Sequence, residues 1–321
     1  MINPDQVVKS LLNTVEQQAE ANFRRFVIGR GITKWIIASD LVVGDSSRPN
    51  DAFAFTVFPY DAPFDQMQRE IRTAGGSKDL KKIKSVGHPM LNYLREARRF
   101  TFGFIVNKDR EWVPNVETAR KKIDFTIALM RKWRDADQQR DIIGRFVALR
   151  QKARANAFNT KLFGDIVLTS TLAGFVAMLL VKHGSPEIIG WFPDRDKITS
   201  AYDKIAHDLF SVDASAFCQQ IGIDRAAVKL AIGVPGNPEG SANGNWYDDL
   251  LRVPDYVAGT LAAWNIEKNL VPAAHPKFRE ILRGAVADNS NLLVLRLRLA
   301  ADTAQASRVQ VSLTSSGSTI R

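Results

Sequence analysis

The chain is short of cysteine, short of histidine and without a long unbroken apolar run. Each shortage removes a class of function. One cysteine in 321 residues, Cys218, excludes an internal disulfide framework and a cysteine-rich zinc site. His88, His183, His207 and His275 are widely separated and show no metal-ligand spacing. The longest apolar run, residues 166–181, contains Thr169, Ser170, Thr171 and Gly174. It is shorter than the ~20 residues of a membrane span, so it is expected as a buried central helix. The first residues lack the basic stretch and apolar core of a secretory leader. These features predict a cytoplasmic protein with no membrane partner. No internal repeat is visible, and the Gly/Pro/Asn-rich stretch 233–245 lacks the Gly-Lys-Ser/Thr ending of a phosphate-cradling loop.

What is present is charge, unevenly placed. The net charge is +10, and residues 69–161 alone hold 23 Lys/Arg against 10 Asp/Glu. A basic surface confined to one contiguous segment points to a polyanionic partner, nucleic acid first. The competing reading is a set of solvated helix faces. The cluster Lys78, Lys81, Lys82 and Lys84 follows a Gly-Gly break and is the densest part of this segment. Its lysines are candidate phosphate contacts, with a solvated basic turn as the alternative.

The 45% apolar composition is ample for a substantial core. Periodicity predicts a helix over 5–27, a strand over 33–43, and a hairpin partner over 52–58 after a turn at 44–50. Helices are expected over 64–71 and 89–99, with a strand at 100–106. Two or three long helices fill 115–182. A strand at 187–192 precedes a helix over 199–210 capped by Thr199 or Ser200. A short strand at 228–232, a loop over 233–245, a helix from Asp255 to about Trp264 and a final hairpin complete the order. Trp112, Trp133, Trp191 and Trp264 are expected in the core.

Four acids stand at the edges of these elements. Asp40 lies inside the apolar strand, an expensive place for a carboxylate unless a cation or hydrogen bonds compensate it. Asp194 and Asp196 directly follow the strand at 187–192. Asp255 follows Pro254 and precedes an apolar helix. Carboxylates so distributed are what a divalent-metal site needs. Each has a plainer reading. Asp40 would suit pairing with a buried arginine, Asp255 would suit a helix first turn behind a leading proline, and Asp79 among its lysines reads as a surface ion pair. Gly259, one turn after Asp255, is expected to allow close approach to the strand carrying Asp40. Asp194-Arg195-Asp196 also fits the Asp-x-Asp spacing of nucleotide-sugar transferases, but no nucleotide-binding first strand and turn accompanies it.

The stretches Asp40-Leu41 and Leu250-Leu-Arg-Val-Pro-Asp255-Tyr-Val-Ala-Gly259 resemble the motifs of a large bacterial and archaeal family of unknown function with a ribonuclease H-like fold. That family carries Asp-Glu in the first strand and Gln-x-x-Asp late in the chain. Here Leu41 replaces the Glu, Arg252 the Gln, and Pro254 the usual Ala. The order of elements agrees over roughly 33–265. The resemblance implies an α/β fold, a mixed sheet flanked by helices with a basic helical insertion at about 115–182. The order of elements itself reads as one mixed α/β domain over 31–315 between an N-terminal helix (1–30) and a flexible tail (316–321). The resemblance further implies Mg²⁺- or Mn²⁺-dependent cleavage of nucleic-acid phosphodiesters, DNA or RNA, in a mobile element or antiphage system. Asp40, Asp194 or Asp196, and Asp255 would hold two ions roughly 4 Å apart. The alternative is a lineage that kept the fold and lost the chemistry, binding nucleic acid or a protein, with Arg252 neutralising Asp255. A third reading, compatible with either, is a subunit of a larger assembly that uses the helical insertion as an interface to a partner protein or a second copy.

Overall fold

The computed structural model describes residues 4–75, 78–132, 136–154, 158–224, 228–233, 246–300 and 302–313. Trp133, the expected loop beyond Gly233 and the tail 316–321 lie outside the described residues.

Two helices, α1 (Pro4–Gln18) and α2 (Glu20–Ile28), lead into β1 (Lys34–Val42) and β2 (Asp51–Pro59). They replace the single helix expected over 5–27, because the backbone leaves helical geometry at Ala19. Helix α3 (Phe64–Gly75), a short 3-10 turn (Leu80–Lys82) and α4 (His88–Arg95) precede β3 (Phe100–Val106). Three helices follow, α5 (Val116–Met130), α6 (Ala136–Lys152) and α7 (Thr160–His183), then β4 (Ile188–Pro193) and α8 (Lys197–Gln220). The rest is β5 (Lys229–Ile232), α9 (Asp248–Ala263), α10 (Pro276–Ile281) with a π-turn (Leu282–Val286), and the hairpin β6 (Leu292–Leu299) and β7 (Ala304–Val309).

All seven strands form one mixed sheet in the order β5-β4-β1-β2-β3-β6-β7. β1, β2 and β3 are successive antiparallel neighbours, whereas β4 lies parallel beside β1 and β5 parallel beside β4. β6 runs parallel to β3 and turns back into β7.

Strand alternation assigns the two faces. Trp35, Ile37, Phe53, Phe55, Phe102 and Phe104 point into the core formed with α7 and α8. Ile36, Ala38, Ala52, Ala54 and Ile105 point into a second core under α9. The α7 side is the larger layer. Every residue from Phe163 to Val181 is buried, so the one described helix long and apolar enough to cross a membrane is enclosed by protein. Trp112, Trp191 and Trp264 are buried as expected.

The α9 side is built from small residues. Asp40 pairs with Ala54, and Ala54 pairs with Gly103, so one row across three strands carries little side-chain bulk. A Cβ on Gly103 would stand 2.5 Å from Leu261 Cδ1. The row therefore lets α9 lie close over the end of β1, and that approach brings Asp255 to Asp40.

Two charged clusters clamp the layers. Arg110 is buried between Asp51 at the start of β2 and Asp165 on α7, bonded to both. Arg145 on α6 forms a fork with both oxygens of Asp208 on α8, at 2.7 Å each. Helix α8 begins earlier than expected: Asp196, not Thr199 or Ser200, is the cap, in a reciprocal capping box with Thr199. The helix is interrupted at Tyr202, Asp203 and Lys204, whose φ values of 51°, 59° and 60° are left-handed. The interruption stacks Tyr202 on Phe158, with ring centroids 5.5 Å apart.

Candidate active site

Asp40 continues the Ile36–Ala38 face of β1, so it emerges under α9 at the carboxyl end of the strand. Ser39 pairs with Pro193 across the parallel β1/β4 ladder, and the N–H of Asp194 donates to the carbonyl of Ser39 at 2.9 Å. Asp194 thus stands beside Asp40, one residue past the neighbouring strand and on the same face. The carboxyl ends of adjacent parallel strands, where the chain turns to opposite sides, are where open α/β sheets place ligands.

Asp255 reaches this point from above. It sits in the middle of α9, not in a first turn, and Pro254 lies inside the helix. Asp248, Arg252, Asp255 and Gly259 recur at helical spacing and line one cleft of about 550 Å³ with Asp40 and Asp194. The other walls are Asp45 and Arg48 after β1, Asp79, Leu80 and Lys81 of the basic turn, Arg195, and Lys277 and Phe278 of α10.

The electrostatics follow from crowding of like charge. Burial, then the neighbouring charges of Asp255 and Asp194, hold the carboxyl of Asp40 well above the usual carboxylate range. Asp40 and Asp255 lie close enough in the cleft that each carboxyl acts on the other's protonation. Asp255 is also raised by burial, an effect opposed by the N–H of Leu80, which donates to its Oδ2 at 2.8 Å, and by Arg252 and Lys81. Asp194 is raised by burial, with Asp196, Asp255 and Asp248 adding to the effect.

The expected site residues separate here. Asp40, Asp194 and Asp255 come together. The carboxylate of Asp196 accepts from the N–H of Thr199 at 2.8 Å as the α8 cap and does not line the cleft. Lys81 is an exposed residue of the cleft wall, and Lys78, Lys82 and Lys84 are exposed on the same segment. Asp79 is ion-paired with Lys82 at 2.8 Å and with Arg252. Gly259 makes room for the basic turn rather than for β1, since a Cβ there would stand 2.5 Å from Leu80 Cδ2. Sequence reasoning missed Asp248, Arg195, Arg48 and Lys277. Asp248 was visible in the spacing 248, 252, 255, 259, and the helix carrying Lys277 was signalled by the leading proline Pro276.

Among the described residues, no three or more His, Cys, Asp or Glu side chains stand close enough to enclose a metal ion. The donor set itself is all carboxylate oxygen, the hard-ligand chemistry that suits Mg²⁺ or Mn²⁺.

No protein-family model, curated protein or solved structure matches this chain. What the geometry establishes is a mixed α/β sheet between helical layers, with three aspartates gathered at the carboxyl edge of its central strands.

Proposed function

We propose that the cleft is the active site of a metal-dependent nuclease with a ribonuclease H-like fold. The observation that carries this reading is the convergence of Asp40, Asp194 and Asp255 from two strands and a helix into one open cleft. Among the described residues, none of the three is ion-paired to a lysine or arginine. Three carboxylates held together at such cost are disfavoured as structure alone and are what a functional site requires. The strand arrangement is in keeping with the fold. An antiparallel meander β1-β2-β3 has β4 and β5 added in parallel beside β1, with the acids on β1, after β4, and on the helix that follows β5.

Asp40, Asp194 and Asp255 would be the ligands that draw in on Mg²⁺ or Mn²⁺, since as they stand they do not enclose an ion, with Asp194 preferred over Asp196, whose carboxylate is engaged as a cap. Bound there, such ions activate water for attack on phosphorus and stabilise the leaving oxygen. The protein's own contributions are distinct. β1 and β4 fix Asp40 and Asp194 through the sheet ladder. The N–H of Leu80 orients Asp255. Lys81 and Arg195 line the same cleft as the acids and would position the phosphate backbone, with Lys78, Lys82 and Lys84 extending that surface. DNA or RNA is the substrate class, and a cytoplasmic setting belongs to this reading, with the lone cysteine, Cys218, buried in the core.

One observation favours a second reading. Burial and the crowding by Asp255 and Asp194 favour the protonated form of Asp40, and Leu41 stands where the resembling family has a Glu. A protein that kept the fold and binds nucleic acid or a partner without cleaving would have this arrangement. The test is cleavage of labelled DNA and RNA with Mg²⁺ or Mn²⁺, with chelator, and with Asp40→Asn. Activity that survives the substitution removes the assignment, and binding without cleavage selects the second reading.

A further inference from the structure

Lys277 is buried at 6% exposure, a rare state for lysine without an acid at contact. Its ammonium donates instead to two main-chain carbonyls of the basic turn, Leu80 O at 2.6 Å and Ile83 O at 2.9 Å. Asp255 attracts that charge across the cleft and Arg48 repels it. The turn is therefore held between a cation and an acid, with its carbonyls toward Lys277 and the Leu80 N–H on Asp255 Oδ2 at 2.8 Å. Two further contacts fix it. The Leu80 side chain fills the space left by the missing Cβ of Gly259, and Arg252 grips Asp79 at the turn's start.

We propose that Lys277 is a positioning residue for the carboxylate site. It braces the turn 80–82 so that the Leu80 N–H stays on one oxygen of Asp255 and the carboxylate is held against Asp40. Its hydrogen bonds are with backbone, and it positions Asp255 through the Leu80 N–H. The inference rests on the hydrolase reading above.

The experiment compares full-length wild type with Lys277→Met, which keeps the length without the charge, and Lys277→Arg, which keeps charge and donors. Three quantities are read: hydrogen exchange at the Leu80 amide, Mn²⁺ affinity by calorimetry, and kcat and KM for steady-state cleavage of labelled nucleic acid. Lys277→Met is expected to lose Leu80 protection and to lower Mn²⁺ affinity and kcat by about 10–100-fold, the range for residues that orient ligands, with KM for nucleic acid unchanged. Lys277→Arg should recover part of each. A Lys277→Met protein with lower Tm but unchanged Mn²⁺ affinity and kcat would make Lys277 merely structural and overturn the proposal. A raised KM at unchanged kcat would make it a substrate contact, with the same result. Wild type that neither binds Mn²⁺ nor cleaves removes the hydrolase reading and the positioning role together. Wild type that does both, beside a Lys277→Met that loses nothing, removes the positioning role alone.

Discussion

The guanidinium of Arg252 is ion-paired with Asp79, while Asp255 accepts the N–H of Leu80 at 2.8 Å and lines the same cleft as Asp40. Arg252 therefore binds the basic turn to α9. Asp255 stays beside Asp40, and its charge, after burial, holds the carboxyl of Asp40 well above the usual carboxylate range.

Asp40→Asn is accordingly expected to act in two opposite directions. Cleavage in Mg²⁺ should be abolished. Stability without metal should rise at neutral pH by roughly 0.5–2 kcal/mol, as when a strained functional group is relieved. The raised folded-state value of Asp40 sets the sign. Between the unfolded carboxylate range and that higher value the native chain binds the extra proton, so stability falls as pH rises. The gain from Asn should therefore shrink toward acid pH. Urea titrations at several pH values measure it.

Gly259→Ala should act on the site through Leu80. The new methyl would meet Leu80 Cδ2 in a packed core, costing about 1–3 kcal/mol. Leu80→Ala in the same chain should return part of that loss, because the two changes share one contact. A double-mutant cycle by chemical denaturation reads the coupling.

Arg110 offers a larger effect far from the chemistry. Its removal, as Arg110→Met, leaves Asp51 and Asp165 buried without their shared cation. A loss of about 3–5 kcal/mol is expected in urea unfolding.

Replacing Lys78, Lys81, Lys82 and Lys84 with Gln should flatten the salt dependence of nucleic-acid binding. Every lysine that neutralises a phosphate adds about 0.7–0.9 to the slope of log K against log salt, and its replacement subtracts the same amount. An unchanged slope across filter-binding titrations would take these lysines off the binding surface.

His207 is the acid-sensitive element of the larger core. Burial, with Lys204 adding to it, lowers its value from 6.5 to about 4. Between those values the unfolded chain takes up the proton and the folded chain does not, so stability is full above the upper value and declines toward the lower. The contribution is about 3 kcal/mol over the window. His207→Phe is expected to remove that share of the acid destabilisation in thermal melts from pH 4 to 7.

The site was legible where its acids break an apolar pattern. Asp40 and Asp194 end strands whose side-chain alternation can be read directly, and the sheet then sets them side by side. Asp255 was found for a partly mistaken reason. Pro254 looked like a helix start, whereas α9 runs through it because Val253, Pro254, Tyr256 and Val257 are all buried, and that packing outweighs the ~3 kcal/mol interior cost of proline. The break at Ala19 had no glycine or proline to announce it. The pairing of Arg252 with Asp79, 173 positions away in sequence, depends on tertiary packing that no local pattern encodes.

The parallel ladder between β1 and β4 leaves the acids no tolerance for length change. Inserting one residue anywhere between Trp35 and Asp40 would swap the parity of the strand end. The carboxylate would then enter the layer where Ser39 meets Trp191, and an aliphatic or hydroxyl side chain would take its place beside Asp194. The spacing from the start of β1 to its aspartate thus decides which face of the sheet carries the carboxylate.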